Sequence, residues 1–175
     1  MQGELLVTPR NLPHGELGGS TYFLTYRCAK EVILDEAARS IVLNNWHHWQ
    51  AERYLLHAAV VMPDHVHVLI TPRADGEGGW YFLKDILHVT KSYTAHEINK
   101  VWGRTGHIWQ DERFDRIIRD ADEFLEKWTY MANNPVKAGL VQSPEMYQWL
   151  YQNPDAWLEE KKSTGQRPVP PKGNA

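Results

Sequence analysis

The chain reads as an α+β domain, a split β-α-β arrangement in which an antiparallel sheet is covered by helices on one face. Three observations predict it. Two runs with strand character, Tyr54 to Met62 and His65 to Thr71, are separated only by Pro63 and Asp64. Stretches with apolar residues at helical spacing lie on either side of that pair. The overall order is strand, helix, strand, strand, helix, strand or hairpin, helix, with no internal repeat.

Taken in order, residues 1 to 19 hold Pro9, Pro13 and glycines at 15, 18 and 19, a composition that favours an extended or irregular lead-in, with the first regular element after it. In Ser20 to Ala29 the residues Tyr22, Leu24 and Tyr26 alternate with Phe23, Thr25 and Arg27, the period of a strand partly covered on both faces. From Asp35 to Arg53, Ala38, Ile41, Val42, Trp46 and Trp49 fall along one side of a helix. His47 and His48 are adjacent there and point in different directions, which makes a metal-binding pair at that place a poor reading.

Tyr54 to Met62 is apolar almost throughout, as a central strand is, and Pro63 with Asp64 makes a tight connection to the next strand. After a glycine-rich loop at Asp75 to Gly79, Trp80 to Trp102 predicts a long helix with Leu83, Ile86, Leu87, Ile98 and Val101 near one face. Gly103 to Arg119 predicts a strand or hairpin with polar interruptions. A last helix begins near Asp120 or Asp122, where acidic residues cap and complement the helix dipole. It is expected to end around Asn133 and Asn134, because Pro135 restricts the residue before it. The segment through Leu158 has enough Trp, Tyr and Leu to pack on the domain, whereas residues 159 to 175 predict a mobile tail.

A chain of 175 residues, 42% of them hydrophobic, suits one domain with a real core. The expected division is a lead-in over 1–19, a single domain over 20–158 and a tail over 159–175. The lone Cys28 excludes an internal disulfide framework. The opening MQGELLVTPR lacks the apolar run of a signal peptide, and no run of 18 apolar residues follows, so a cytoplasmic protein with no membrane span is expected. The formal charge of −3 and the lack of a Lys/Arg block run against a nucleic-acid partner, although a basic cleft can coexist with an acidic remainder.

The chemistry begins with MPDHVHVLI. Strand alternation sends His65 and His67 to one face and Val66 to the other, so two imidazoles are presented together. Imidazole serves several divalent metals, but the pair needs a third group; otherwise it is two polar residues on a solvated sheet face. In EFLEKWTYMANNPVKAGL, Phe124, Trp128 and Met131 form the stripe that faces the core. Tyr130 lies off that stripe, with Asn134 one turn further along its side. A phenol, with a pKa near about 10, is a weak nucleophile that a metal assists by drawing charge from the phosphate under attack. The bland alternative is a boundary tyrosine with a packed ring and a wet hydroxyl. Tyr93, at the edge of its own helix's stripe, is the competing nucleophile and is read as structural.

Four blocks, VVMPDHVHVLI, KSYTAHEIN, IWQDERFDRIIRD and YMANNPVKAGL, together resemble the HUH (His, bulky apolar, His) single-tyrosine transposases of the IS200-like type, especially the REP-associated tyrosine transposase branch. The resemblance spans about residues 20 to 145. It implies a ferredoxin-like or RRM-like antiparallel sheet with the histidines on its central strand and the tyrosine on a late helix. It also implies Mg2+ or Mn2+, and single-stranded DNA with palindromic hairpins that is cleaved and rejoined through a 5′-phosphotyrosine. Position by position, His65 and His67 match the metal pair and Tyr130 the nucleophile. Asn134 stands where such enzymes place a further polar ligand, often a glutamine. A monomer or homodimer, nucleoid-associated when on DNA, is the state implied.

Lys91, Arg113, Arg116 and Arg119 are the first candidates for phosphate contacts, with surface solvation as the alternative. Trp109 is read as core in preference to a base-stacking residue. Two other functions stay open: a non-catalytic module that binds single-stranded nucleic acid, and a metal-dependent phosphodiesterase that uses water.

Overall fold

The computed structural model describes residues 6–8 and 14–155. Strands β1 (Leu6–Thr8) and β2 (His14–Glu16) pair with each other as a small antiparallel ribbon. The main sheet contains β3 (Tyr22–Cys28), β4 (Tyr54–Val61), β5 (His65–Pro72), β6 (Trp109–Ile117) and β7 (Leu150–Gln152). Its order is β6-β3-β5-β4-β7, antiparallel throughout, with β5 at the centre. Helices α1 (Glu36–His48), α2 (Leu83–Trp102) and α3 (Ala121–Lys137) pack on it.

The α+β class and the antiparallel sheet are as the sequence predicts; the distribution of helices is not confined to one face. Residues opposite one another in paired strands share a face. Tyr26 lies opposite Val66, and the Trp46 indole of α1 donates to the Tyr26 hydroxyl at 3.0 Å. The Trp109 indole, 4.9 Å from the Tyr26 ring, donates to Thr94 of α2. Thus α1 and α2 cover the face of Tyr26, Val66 and Val68. On the other face Phe124 of α3 meets His57 edge-on at 5.3 Å, and His57 bonds Thr71 of β5. The reason lies in β4, where Ala58, Ala59, Val60 and Val61 are all buried in succession. A strand apolar on both faces needs a cover on both.

Three local readings are corrected. Regular structure begins inside the lead-in, not after it: besides the β1–β2 ribbon, Glu16 accepts hydrogen bonds from the backbone N–H groups of Leu83 and Lys84. It thereby caps α2, whose own N-cap, Phe82, provides no side-chain bond. A Cβ on Gly18 would run into the Trp80 indole, so that glycine permits the lead-in to press against the loop before α2. The first helix stops at His48, short of Arg53, because the chain turns through Ala51 at φ 69 into β4. The last helix continues through Pro135 to Lys137. A proline in a final turn forfeits its own N–H bond, and burial of Pro135 against the sheet side of α3 offsets that loss.

Gly103 to Arg119 yields one strand, β6, not a hairpin, and the segment before Leu158 supplies β7 as an edge. The predicted tail over 159–175 lies outside the described residues, as do 1–5 and 9–13 of the lead-in. Among the described residues no helix is long and apolar enough to cross a membrane.

Candidate active site

On β5 the period-two geometry puts the rings of His65 and His67 4.7 Å apart, on the face that α3 covers. Each ring is held by its Nδ1. His65 Nδ1 is 2.7 Å from Asp64 Oδ1, and His67 Nδ1 is 2.7 Å from Thr25 Oγ1 across the β3–β5 ladder. That leaves the Nε2 atoms of both rings for another partner, the arrangement in which outer hydrogen bonds fix the tautomer of metal-ligating histidines. His67 is buried, stacked on Phe23 at 5.3 Å. Burial, reinforced by nearby His65 and Arg27 and only partly opposed by Asp64, brings its imidazole down to about 3. It is therefore neutral at physiological pH, the form that binds metal.

Helix α3 brings its exposed flank to the same place. Phe124 and Met131 are buried, whereas Tyr130 is 40% exposed. The Tyr130 ring stands edge-on to His67 at 5.3 Å and to Phe23 at 6.2 Å. One turn on, Asn134 Nδ2 lies 3.5 Å from His67 Nε2. Lys137 Nζ is 5.8 Å from the centre of the Tyr130 ring. Among the described residues no trio of His, Cys, Asp and Glu gathers as a metal site. The donor set here is two imidazoles plus the amide of Asn134, ligand types that suit a divalent ion acting on a phosphate.

Of the basic candidates, two share this face. Arg116, opposite Phe23, and Arg119 both bind Glu123 near the start of α3; Arg119 Nε and its backbone N–H each donate at 3.0 Å. Burial pushes the Glu123 carboxyl up, but these hydrogen bonds outweigh it and hold the group down at about 2. Lys91 and Arg113 belong to the other face. Lys91 donates to the carbonyl oxygens of Gln110 and Asp111, and burial lowers its ammonium to about 8. Arg113, opposite Tyr26, binds Asp115 at 2.9 Å and reaches Glu16 at 3.5 Å. The structure does not bring these two together with the histidines.

Trp109 is buried, as predicted. Tyr93 is 52% exposed, more open than a structural residue need be, but its helix covers the face away from the histidines. His47 and His48 do not form a pair; their rings rest on Tyr151 and Trp49 respectively. Sequence reasoning did not single out Thr25, Phe23 or Lys137. No local signal marks Thr25, whose role comes from strand pairing, while Asp64 was visible beside His65 in PDHVH.

No family model matches the chain, and no curated protein sequence matches it. Among solved structures the chain is similar to a REP-associated tyrosine transposase bound to a REP hairpin, with 19% identity and a TM-score of 0.64 over 90% of this chain and 87% of that one. It is also similar to a candidate transposase from Deinococcus radiodurans R1, with 16% identity and a TM-score of 0.45 over 73% and 97%. A bacterial tRNA(His) guanylyltransferase-like protein in complex with GTP gives 11% identity and a TM-score of 0.45 over 76% and 68%. Only the first likeness is strong enough to argue from, and what it shows is a shared fold.

Proposed function

We propose that the chain is an HUH single-tyrosine transposase of the REP-associated branch, acting as a metal-dependent strand transferase on single-stranded DNA. One observation carries the reading. His67 on the central strand and Asn134 on α3, 67 residues apart in sequence, lie side by side, with Tyr130 facing the same ring. The four sequence blocks and the fold shared with a transposase that was solved on a REP hairpin support the choice of substrate class.

In this reading His65, His67 and Asn134 would hold a Mg2+ or Mn2+ ion, which when bound would draw charge from the scissile phosphate. The Tyr130 phenolic oxygen attacks phosphorus and the bond from phosphorus to the 3′ oxygen breaks. The phenol gives its proton to solvent, and the departing strand takes one to become a 3′-hydroxyl. The DNA stays attached as a 5′-phosphotyrosine, which conserves the energy of the broken phosphodiester. Attack by another 3′-hydroxyl then reseals the strand and frees Tyr130. Asp64 and Thr25 orient the imidazoles, and Lys137 places a positive charge beside the reacting phosphate.

The test is incubation of the protein with labelled hairpin DNA and Mn2+, followed by denaturation. A protein–DNA species that survives is expected from the parent chain, and Tyr130→Phe is expected to bind the DNA without forming it. A normal yield of adduct from Tyr130→Phe would remove the tyrosine from the reaction. Cleaved DNA without any adduct would point to hydrolysis by water instead.

A further inference from the structure

We infer that Phe114 is a base-stacking platform for a nucleotide next to the scissile phosphate; the inference rests on the strand-transferase reading and gives it a substrate contact. Phe114 on β6 lies opposite Thr25, which in turn lies opposite His67. All three therefore share one face, and at a strand spacing of about 4.8 Å the phenyl group stands two strands, about 10 Å, from the metal pair. Helix α3 packs chiefly over β4, β5 and β7, and it reaches β6 at its first turn, where Glu123 binds Arg116. The Phe114 side is 52% exposed, while Phe23, the other phenylalanine on this face, is buried beneath His67 and Tyr130.

Core packing does not account for Phe114. In WQDERFDRI every residue between Trp109 and Ile117 except Phe114 is polar or charged, the composition that keeps an edge strand from pairing with other chains. A large apolar ring set among such residues is the one feature of β6 that works against solubility. Its surroundings are mixed in charge: Glu112 precedes it by two residues on β6, and two guanidinium groups stand near it, Arg116 paired with Glu123 and Arg27 3.9 Å from Asp64. Arg116 follows two residues along β6, and Arg27 lies two residues beyond Thr25 on β3; their side chains are 44% and 58% exposed. An open aromatic face flanked by two guanidinium groups fits a nucleotide, with the base on the ring and a phosphate on the N–H groups that the arginines' pairs with Glu123 and Asp64 leave over. Because every base has a π-face, this contact grips the strand without choosing its sequence.

The test uses the Tyr130→Phe chain, so that binding is read without chemistry, and follows its affinity for a fluorescent single-stranded oligonucleotide with Mn2+ present. Phe114→Ala is expected to weaken binding by about 10-fold, Phe114→Leu by nearly as much, and Phe114→Trp not at all. An abasic nucleotide walked along the oligonucleotide should locate the partner. At one position the loss of the base and the loss of the ring should not add. Equal affinity for the Ala, Leu and parent chains would overturn the inference, as would full recovery with leucine, which is apolar but cannot stack. Failure of the Tyr130→Phe chain itself to bind any single-stranded DNA would instead bring down the strand-transferase reading, and this inference with it.

Discussion

Thr25 sets which nitrogen of His67 faces the candidate site. Its hydroxyl, 2.7 Å from Nδ1, is the polar contact that holds the ring, while Phe23 fixes the ring plane by stacking. Replacing Thr25 with valine keeps the branched shape and strand preference but removes the hydroxyl. Outer-shell partners of this kind are worth roughly 10 to 100-fold in metal affinity. Thr25→Val is therefore expected to weaken Mn2+ binding by about that factor with the fold intact, as calorimetric titration would show; an unchanged affinity would mean that Thr25 does not orient the ring. The competing tyrosine is tested at the same scale. Tyr93 sits on α2, across the sheet from His65 and His67, so Tyr93→Phe should leave the yield of covalent adduct unchanged. An adduct that disappears with Tyr93 would move the nucleophile to the other face.

The element that carries the tyrosine is anchored at its start by acidic groups. Asp120 caps α3 by accepting from the Glu123 N–H at 2.8 Å, and Glu123 in turn clamps Arg116 and Arg119. The Glu123 carboxyl is held at about 2, below the ordinary carboxylate value, so folding favours its charged form. Its contribution to stability is complete above the ordinary value of about 4.3. It is lost as pH falls from there through about 2. Glu123→Gln should lower the melting temperature at neutral pH, and the gap from the parent chain should close as melts are run from pH 5 down to about 2. A gap constant across that range would show that the charge is not what matters. The acidic start of α3, placed by the sequence at Asp120 or Asp122, was legible because capping is local: the Asp120 side chain reaches a backbone N–H three residues on. The other end of α3 was not, since Pro135 is tolerated in the last turn where it is buried, and burial is set by tertiary packing.

At the scale of the molecule, what the sequence reveals divides by whether it depends on one element or on two. The pairing of His65 with His67 needs only the period of β5, and the departure of Tyr130 from its apolar stripe needs only the period of α3. Which face of the sheet α3 covers depends on β4 being apolar on both sides, and the capping of α2 by Glu16 joins segments 67 residues apart. The candidate site has the same division. Its histidines are fixed by a central strand, but Tyr130 is aimed only as well as α3 is docked. Met131, next to Tyr130 and fully buried, supplies part of that docking. Met131→Ala should cost about 2–5 kcal/mol of stability by leaving a cavity. Because β5 is untouched, Mn2+ affinity should hold, while the rate of adduct formation, measured well below the melting temperature, should fall by at least about 10-fold, since small misplacement of a reacting group is heavily penalised. If adduct formation and Mn2+ affinity fell together, the helix and the strand would not be separable parts of the site; if neither fell, Tyr130 would be aimed by something other than the packing of α3.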